Sequence, residues 1–447
     1  MKLSPGQPYF ERTIALTTDP LTVMTELAST GLHEDHIVYE RPREWSYAGG
    51  VLAQIWVDRT GACLAQGDSV TLRAWDGPPL RHVQQLLETI NIPGWRAYGW
   101  AAFEFAYAKD GDRSNIGEQR LLHLVVPRTE VRISGDHALI RSADAAELDK
   151  VVAIILGATD RPTAPASPVD VRHGGGDYER AVAAAIDGIH AERLQKVILS
   201  RTFAVDTEID FAATYRHGRQ ANNPARSFLL RLGDIEAAGF SPEVVVAVDV
   251  DGRVISQPLA GTRALTDDVA QNRKLRAELL SNPKEIYEHA ISVKIAHDEL
   301  LDVCESETLF VEEFMAIRER GTVQHLASRV AGHLAPSRDA WDAFVAVFPA
   351  VTASGVPKAE AFAEIRTHEP TARGLYSGAV LIVDQDGALD AALVLRAVYR
   401  QHGRTWLQAG AGIVGQSQPQ REFEETSEKL DSVARFLVPA HEHAITG

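Results

Sequence analysis

The chain has 447 residues, 45% apolar and 24% charged, which suits a soluble globular protein with a sizeable core. With 61 acidic against 45 basic residues its formal charge is −16, which argues against nucleic acid or an anionic membrane as the main partner. The only two cysteines, Cys63 and Cys304, exclude a disulfide framework or a cysteine-rich zinc site, and no stretch approaches the roughly 20 apolar residues of a membrane span. A cytoplasmic protein is expected, and any anionic substrate must find a local cationic pocket or a metal.

From about Val38 to Ile140, short apolar or alternating runs such as Val51–Val57 and His123–Val126 are separated by Gly, Asp and Pro, and they predict strands. The segment Gly157–Gly176, rich in Pro, Ala and Gly, is a linker or surface connection between an N-terminal part, 1–156, and a region over 177–438. Asp177 reads as the N-cap of a helix with apolar positions Tyr178, Val182, Ile186 and Ile189, and Lys196–Arg201 follows as a buried strand. Asp251-Gly252, Asp386-Gly387 and His402-Gly403 predict hairpins, with helices over Asn282–Val303 and Gln420–Leu437. Strands and helices mix without regular βαβ alternation, so an α+β fold is expected.

Both late helices carry acids three residues apart, Glu285 with Glu288 and Glu422 with Glu425, so each pair points one way. Such acids can be a solvated face, and Asn282, Pro283 and Glu285 also fit a helix start with a capping box. Ser417, Pro419 and Gln420 provide a comparable start for the second helix. If the helices face each other, four carboxylates converge without an equal set of cations, an arrangement that Mg²⁺ would stabilise while holding an anionic substrate.

Seven ordered motifs, Lys196–Arg201, Gly239–Glu243, Pro258–Arg263, Lys284–His289, Phe348–Lys358, Gly374–Gly378 and Arg421–Lys429, resemble the chorismate-utilising enzymes, the family of anthranilate, aminodeoxychorismate, isochorismate and salicylate synthases. The resemblance covers about Asp177 to Val438 and is strongest to siderophore-type salicylate synthases. It implies one large domain of two stacked, mainly antiparallel sheets flanked by helices. It also implies a chorismate substrate, a Mg²⁺ cofactor, no amidotransferase subunit and a monomer.

Residue by residue, the resemblance makes Lys196 the base that activates water, where ammonia-using members carry glutamine. Lys196 alone could equally be a solvated strand end, and as a base it should sit where burial or nearby cations help it shed its proton. Glu243, otherwise an ordinary turn acid, becomes the general acid for the C4 hydroxyl on the opposite ring face. Ala260 stands where aminodeoxychorismate synthases have a nucleophilic lysine, which closes a covalent amine route. Gly261 and Thr262 would serve the ring carboxylate, and His325 and Thr352 match pocket positions of salicylate-forming members. Glu288 and Glu425 match direct magnesium ligands, with Glu285 and Glu422 acting through water, and His289 is read as structural. Arg396, placed inside the strand Ala391–Arg396, would grip the enolpyruvyl carboxylate with Tyr376, near Gly410 and Gly412; its alternative is a salt bridge to Asp390. Lys429 would support the carboxylates. The implied reaction is chorismate to salicylate and pyruvate through bound isochorismate. The alternatives are an isochorismate synthase that releases its product, or an ammonia-using subunit of an anthranilate or aminodeoxychorismate synthase.

Overall fold

The computed structural model describes residues 9–75, 77–160, 162–321 and 323–440. Among them, 21 strands form one hydrogen-bonded network with 11 α-helices packed against it, the α+β architecture expected. The early strands share this network with the late ones. His36–Arg41 pairs antiparallel with Arg226–Leu232, and Arg96–Ala101 pairs antiparallel with Ala379–Asp384. The last of these reads Ala-Val-Leu-Ile-Val-Asp and is buried along nearly its whole length, because covered sheet faces leave no side for polar residues. Residues 158–160 and 162–175 form no helix or strand. Among the described residues no helix is long and apolar enough to cross a membrane, and Cys63 and Cys304 are free and buried.

Four antiparallel strands build the floor of the site. Lys196–Val205 pairs with Arg404–Ile413, placing Ser200 opposite Gly410 and Ile198 opposite Gly412. Leu259–Ala264 pairs with Val323–His333, with a bulge between Ala260 and Thr262 that leaves Gly261 unpaired. Gly261 has φ +75°, and a Cβ there would lie 3.0 Å from a Glu285 carboxylate oxygen, so glycine is needed on both counts.

Two helices close the floor. Pro283–Leu301 starts on Asn282, whose side chain accepts from Lys284 N and Glu285 N, and Pro283 occupies the first turn as expected. Its buried face, Val293, Ala296 and Leu300, joins the largest apolar cluster, each large side chain contributing about 1.5–3 kcal/mol. Pro419–Ala434 buries Glu422 and Thr426 near its start and Leu430 and Val433 further on.

Four local expectations are corrected. The helix over Gly176–His190 is preceded by Gly175, and Asp177 lies inside its first turn, paired with Arg180. Gln418 rather than Ser417 flanks the last helix, because the Ser417 hydroxyl accepts from Val414 N instead. Glu285 completes no capping box, since the half-buried Arg263 claims its carboxylate. Arg396 lies outside the strand Leu389–Leu393, at φ +52° in the link to Ala397–Gln401.

Candidate active site

A cleft with a cavity volume of about 80 Å³ lies between these strands and the two helices. Glu243, Gly261, Thr262, Glu288, His325, Thr352, Tyr376, Arg396, Gly410, Gly412, Glu425 and Lys429 all line it. Lys196 sits just behind Glu288. Glu285 and Glu422 stand behind the wall rather than on it.

Lys196 opens its strand and is fully buried, with Nζ 3.0 Å from Glu288 Oε1 and 3.2 Å from Ser292 Oγ. Burial is as expected, but the near charge is an anion, not the cation anticipated. Glu243 is 3% exposed and accepts a 2.6 Å hydrogen bond from the Thr352 hydroxyl. Burial pushes its carboxyl up to about 8, while the Thr352 hydrogen bond and the Lys196 charge act the other way. It therefore carries a proton at neutral pH, the form a general acid needs.

The carboxylates do converge, but the expected shortage of cations is wrong: each acid has its own. Glu288 pairs with Lys196, Glu285 with Arg263 at 2.8 Å, Glu422 with Lys284 at 2.7 Å and Glu425 with Lys429 at 2.8 Å. Burial opposes the charge on Lys284, but Glu422 in contact with it, and the charges of Glu425 and Glu288, hold it protonated. Lys429 holds the Glu425 carboxyl low although burial opposes it, and burial together with Glu425 pushes Glu422 up. The physical reason is that four uncompensated buried charges would cost several kcal/mol each.

Only Glu288 and Glu425 of the four face the cleft, and no three described acid, His or Cys side chains form a ready ligand cluster. Two carboxylates beside an open cleft fit Mg²⁺, which takes one or two carboxylates and fills its other positions with water and substrate oxygen. Gly412 makes room for one of them: a Cβ there would fall 2.1 Å from Glu288 Oε1.

At the other end, Arg396 donates to His325 Nε2 and, across 3.2 Å, to the Arg320 carbonyl. No described carboxylate lies within ion-pair distance of it, and Asp390, its alternative partner, is held by Arg226 at 2.6 Å and by Tyr39 at 2.5 Å. Burial and then Arg320 bring the Arg396 guanidinium down to about 10, so a buried, charged fork remains without a counter-ion. An anionic ligand would supply one. Burial, Arg396 and Lys429 keep His325 neutral. Its Nε2 accepts from Arg396, so Nδ1–H donates to Thr262 Oγ1 at 3.0 Å and leaves the Thr262 hydroxyl hydrogen free. Tyr376 is buried with its hydroxyl against Gly410, where a Cβ would come within 2.9 Å of it, and Lys429 Nζ donates to Gly410 O at 2.9 Å. His289, read as structural, bonds Ser328 Oγ at 2.7 Å below the cleft.

Sequence reasoning assigned no role to Lys284, Arg263 or Gln408. Lys284 stands four residues before Glu288 on one helix face, a signal that was available. Gln408 lines the cleft with Nε2 2.9 Å from Ser200 Oγ, and its alternation with Gly410 and Gly412 along one strand could have marked it.

An antiparallel α+β body with an acid, a buried lysine, a carboxylate pair and an anion-seeking arginine around one cleft defines an enzyme for small carboxylate substrates. Residues 34–435 match the chorismate binding enzyme family, and the chain belongs to it. It is 44% identical over 425 residues to a salicylate synthase of Mycolicibacterium paratuberculosis, covering 94% of each chain. Its fold is similar to anthranilate synthase component I from Streptococcus pneumoniae (TM-score 0.74, 24% identity, 88% of this chain and 92% of that one). It is also similar to the menaquinone-specific isochorismate synthase of Escherichia coli (TM-score 0.74, 20% identity, 96% and 95%).

Proposed function

We propose that this chain converts chorismate to salicylate and pyruvate through bound isochorismate, for siderophore biosynthesis and without an amidotransferase subunit. The observation that carries the reading is a carboxyl at 243 that lines the cleft and that burial keeps protonated, with a fully buried lysine at 196 directly behind the cleft-facing Glu288. The 44% identity to a salicylate synthase supports it.

Lys196 can act only after it sheds the ammonium proton that its ion pair with Glu288 favours in the metal-free chain; neutral, it takes a proton from water as the water oxygen bonds to C2 of the ring. Both ring double bonds shift, C1=C2 to C1=C6 and C5=C6 to C4=C5, the C4–O bond breaks, and Glu243 gives its proton to the departing hydroxyl, which leaves as water. Glu288 and Glu425 would hold Mg²⁺, with Glu285 and Glu422 supporting them from behind the wall, and the ion when bound would supply a clamp for the ring carboxylate and a pull on the ring's electron density. Thr262 donates its free hydroxyl hydrogen to the same carboxylate. Arg396 and Tyr376 hold the enolpyruvyl carboxylate, so the side chain stays folded over the ring. The C2 hydrogen then passes to the enolpyruvyl methylene while the C3–O bond breaks, which releases pyruvate and leaves the ring aromatic. This second step uses no further acid or base.

Incubation with chorismate and Mg²⁺, followed by chromatography, tests the reading. Salicylate and pyruvate are expected in equal amounts with little isochorismate. Isochorismate as the end product, without matching pyruvate, would make the chain an isochorismate synthase instead.

A further inference from the structure

Arg373 lies outside the cleft and has no part in the chemistry above, yet it is among the most buried charged side chains of the described residues. Four of its five N–H groups are used. Nη1 donates to Ala353 O and Nη2 to Ile198 O, each at 2.8 Å, while Nε and Nη2 grip Glu369 at 2.8 and 2.5 Å. Glu369 in turn accepts from Ser200 N at 2.8 Å. The guanidinium carbon lies 4.4 Å from the Phe103 ring centroid and 5.6 Å from that of Tyr376. Glu104 fixes its backbone by accepting from Arg373 N at 2.7 Å and Gly374 N at 3.0 Å.

Its two carbonyl partners decide its significance. Ala353 follows Thr352, the residue that hydrogen-bonds Glu243, and Ile198 is two residues from Lys196 on the same strand. One planar cation therefore spans the segment that supports the acid and the strand that carries the base. We propose that Arg373 is a positioning residue for the reaction, holding Thr352, and through it Glu243, in register with the Lys196 strand. The proposal rests on the acid role read for Glu243. Lysine cannot replace the fork, because a single ammonium cannot reach two carbonyls and a bidentate carboxylate in one plane.

A purely structural hub would change stability and leave the ionisation of Glu243 alone; a positioning residue changes both. Infrared difference spectra of the full chain across pH will follow the carboxylic-acid band that disappears in Glu243→Gln, and this readout needs no turnover. In Thr352→Val the carboxylate loses a donor, so its titration midpoint rises. Arg373→Lys and Glu369→Gln are expected to raise it in the same direction, and the Arg373→Lys/Thr352→Val pair to give no further rise. In steady state, kcat for chorismate should fall roughly tenfold or more with KM little changed, as lost alignment predicts. An unchanged midpoint in both single variants overturns the proposal, as do shifts that add fully in the double variant. If Arg373→Lys does not fold, Glu369→Gln alone decides. A wild-type chain that consumes no chorismate would instead sink the catalytic reading, with the infrared test still able to place Thr352.

Discussion

The Thr352 hydroxyl donates to Glu243 Oε1 across 2.6 Å, joining segments 109 residues apart and placing the proton of the cleft's acid under the control of a distant loop. Since burial raises the Glu243 carboxyl to about 8, turnover should be constant through neutral pH and fall as pH rises past about 8, with Glu243→Gln inactive across the range. Stability follows the same group. A folded-state pKa above the unfolded one makes its contribution complete below the unfolded carboxyl pKa, and that contribution is lost progressively as pH rises to about 8. Glu243→Gln should therefore melt higher than the wild type at pH 8 and about equally at pH 4. Thermal melts at the two pH values check this.

Removing metal should abolish turnover, and Mg²⁺ should restore it; full activity in a verified metal-free sample sinks the metal assignment. Glu288→Gln and Glu425→Gln should each lower activity by several orders of magnitude. Glu288→Gln should also destabilise the metal-free protein by about 3–5 kcal/mol, because Lys196 would be a buried ammonium without its carboxylate. Denaturant titration measures that loss apart from catalysis.

Lys196→Ala should block formation of isochorismate from chorismate and keep part of the conversion of supplied isochorismate to salicylate, because the second step needs no base. Product analysis from each starting compound separates the two. A variant that still consumes chorismate at the wild-type rate makes Lys196 a bystander. Ammonium salts should yield no anthranilate or aminodeoxychorismate from the wild type, given lysine at 196 and Ala260 in the loop.

Gly412→Ala places a methyl group 2.1 Å from Glu288 Oε1 on an otherwise intact strand. The carboxylate must swing away, so Mg²⁺ affinity, read by calorimetry, should fall about 10–100-fold while the circular dichroism spectrum stays native. Unaltered affinity would show that Glu288 does not hold the ion.

The hairpins at Asp251-Gly252, Asp386-Gly387 and His402-Gly403 were legible in the sequence, and so were both acid-bearing helices and the first-turn Pro283, because turn chemistry and helix starts depend on neighbouring residues. Helix boundaries within a residue or two were not. Gly175 and Gln418 took the flanking positions expected for Asp177 and Ser417, since a side chain caps only if no better partner stands nearby. The clustering of twelve of the fifteen candidate residues around one cleft was expected from motif order rather than from any physical pattern in the residues.

What local sequence determined here is the supply of chemical groups: acids three residues apart on two helices, a lysine opening an apolar strand, and an arginine in an apolar run. Only the tertiary structure decided their state. It gave each acid a separate cation, left Arg396 without one by committing Asp390 to Arg226, and buried Glu243 deeply enough to keep its proton. Those outcomes depend on desolvation and on charges from other segments within a few ångströms, and the energies involved grow as water is excluded. No spacing along the chain encodes which segment comes that close.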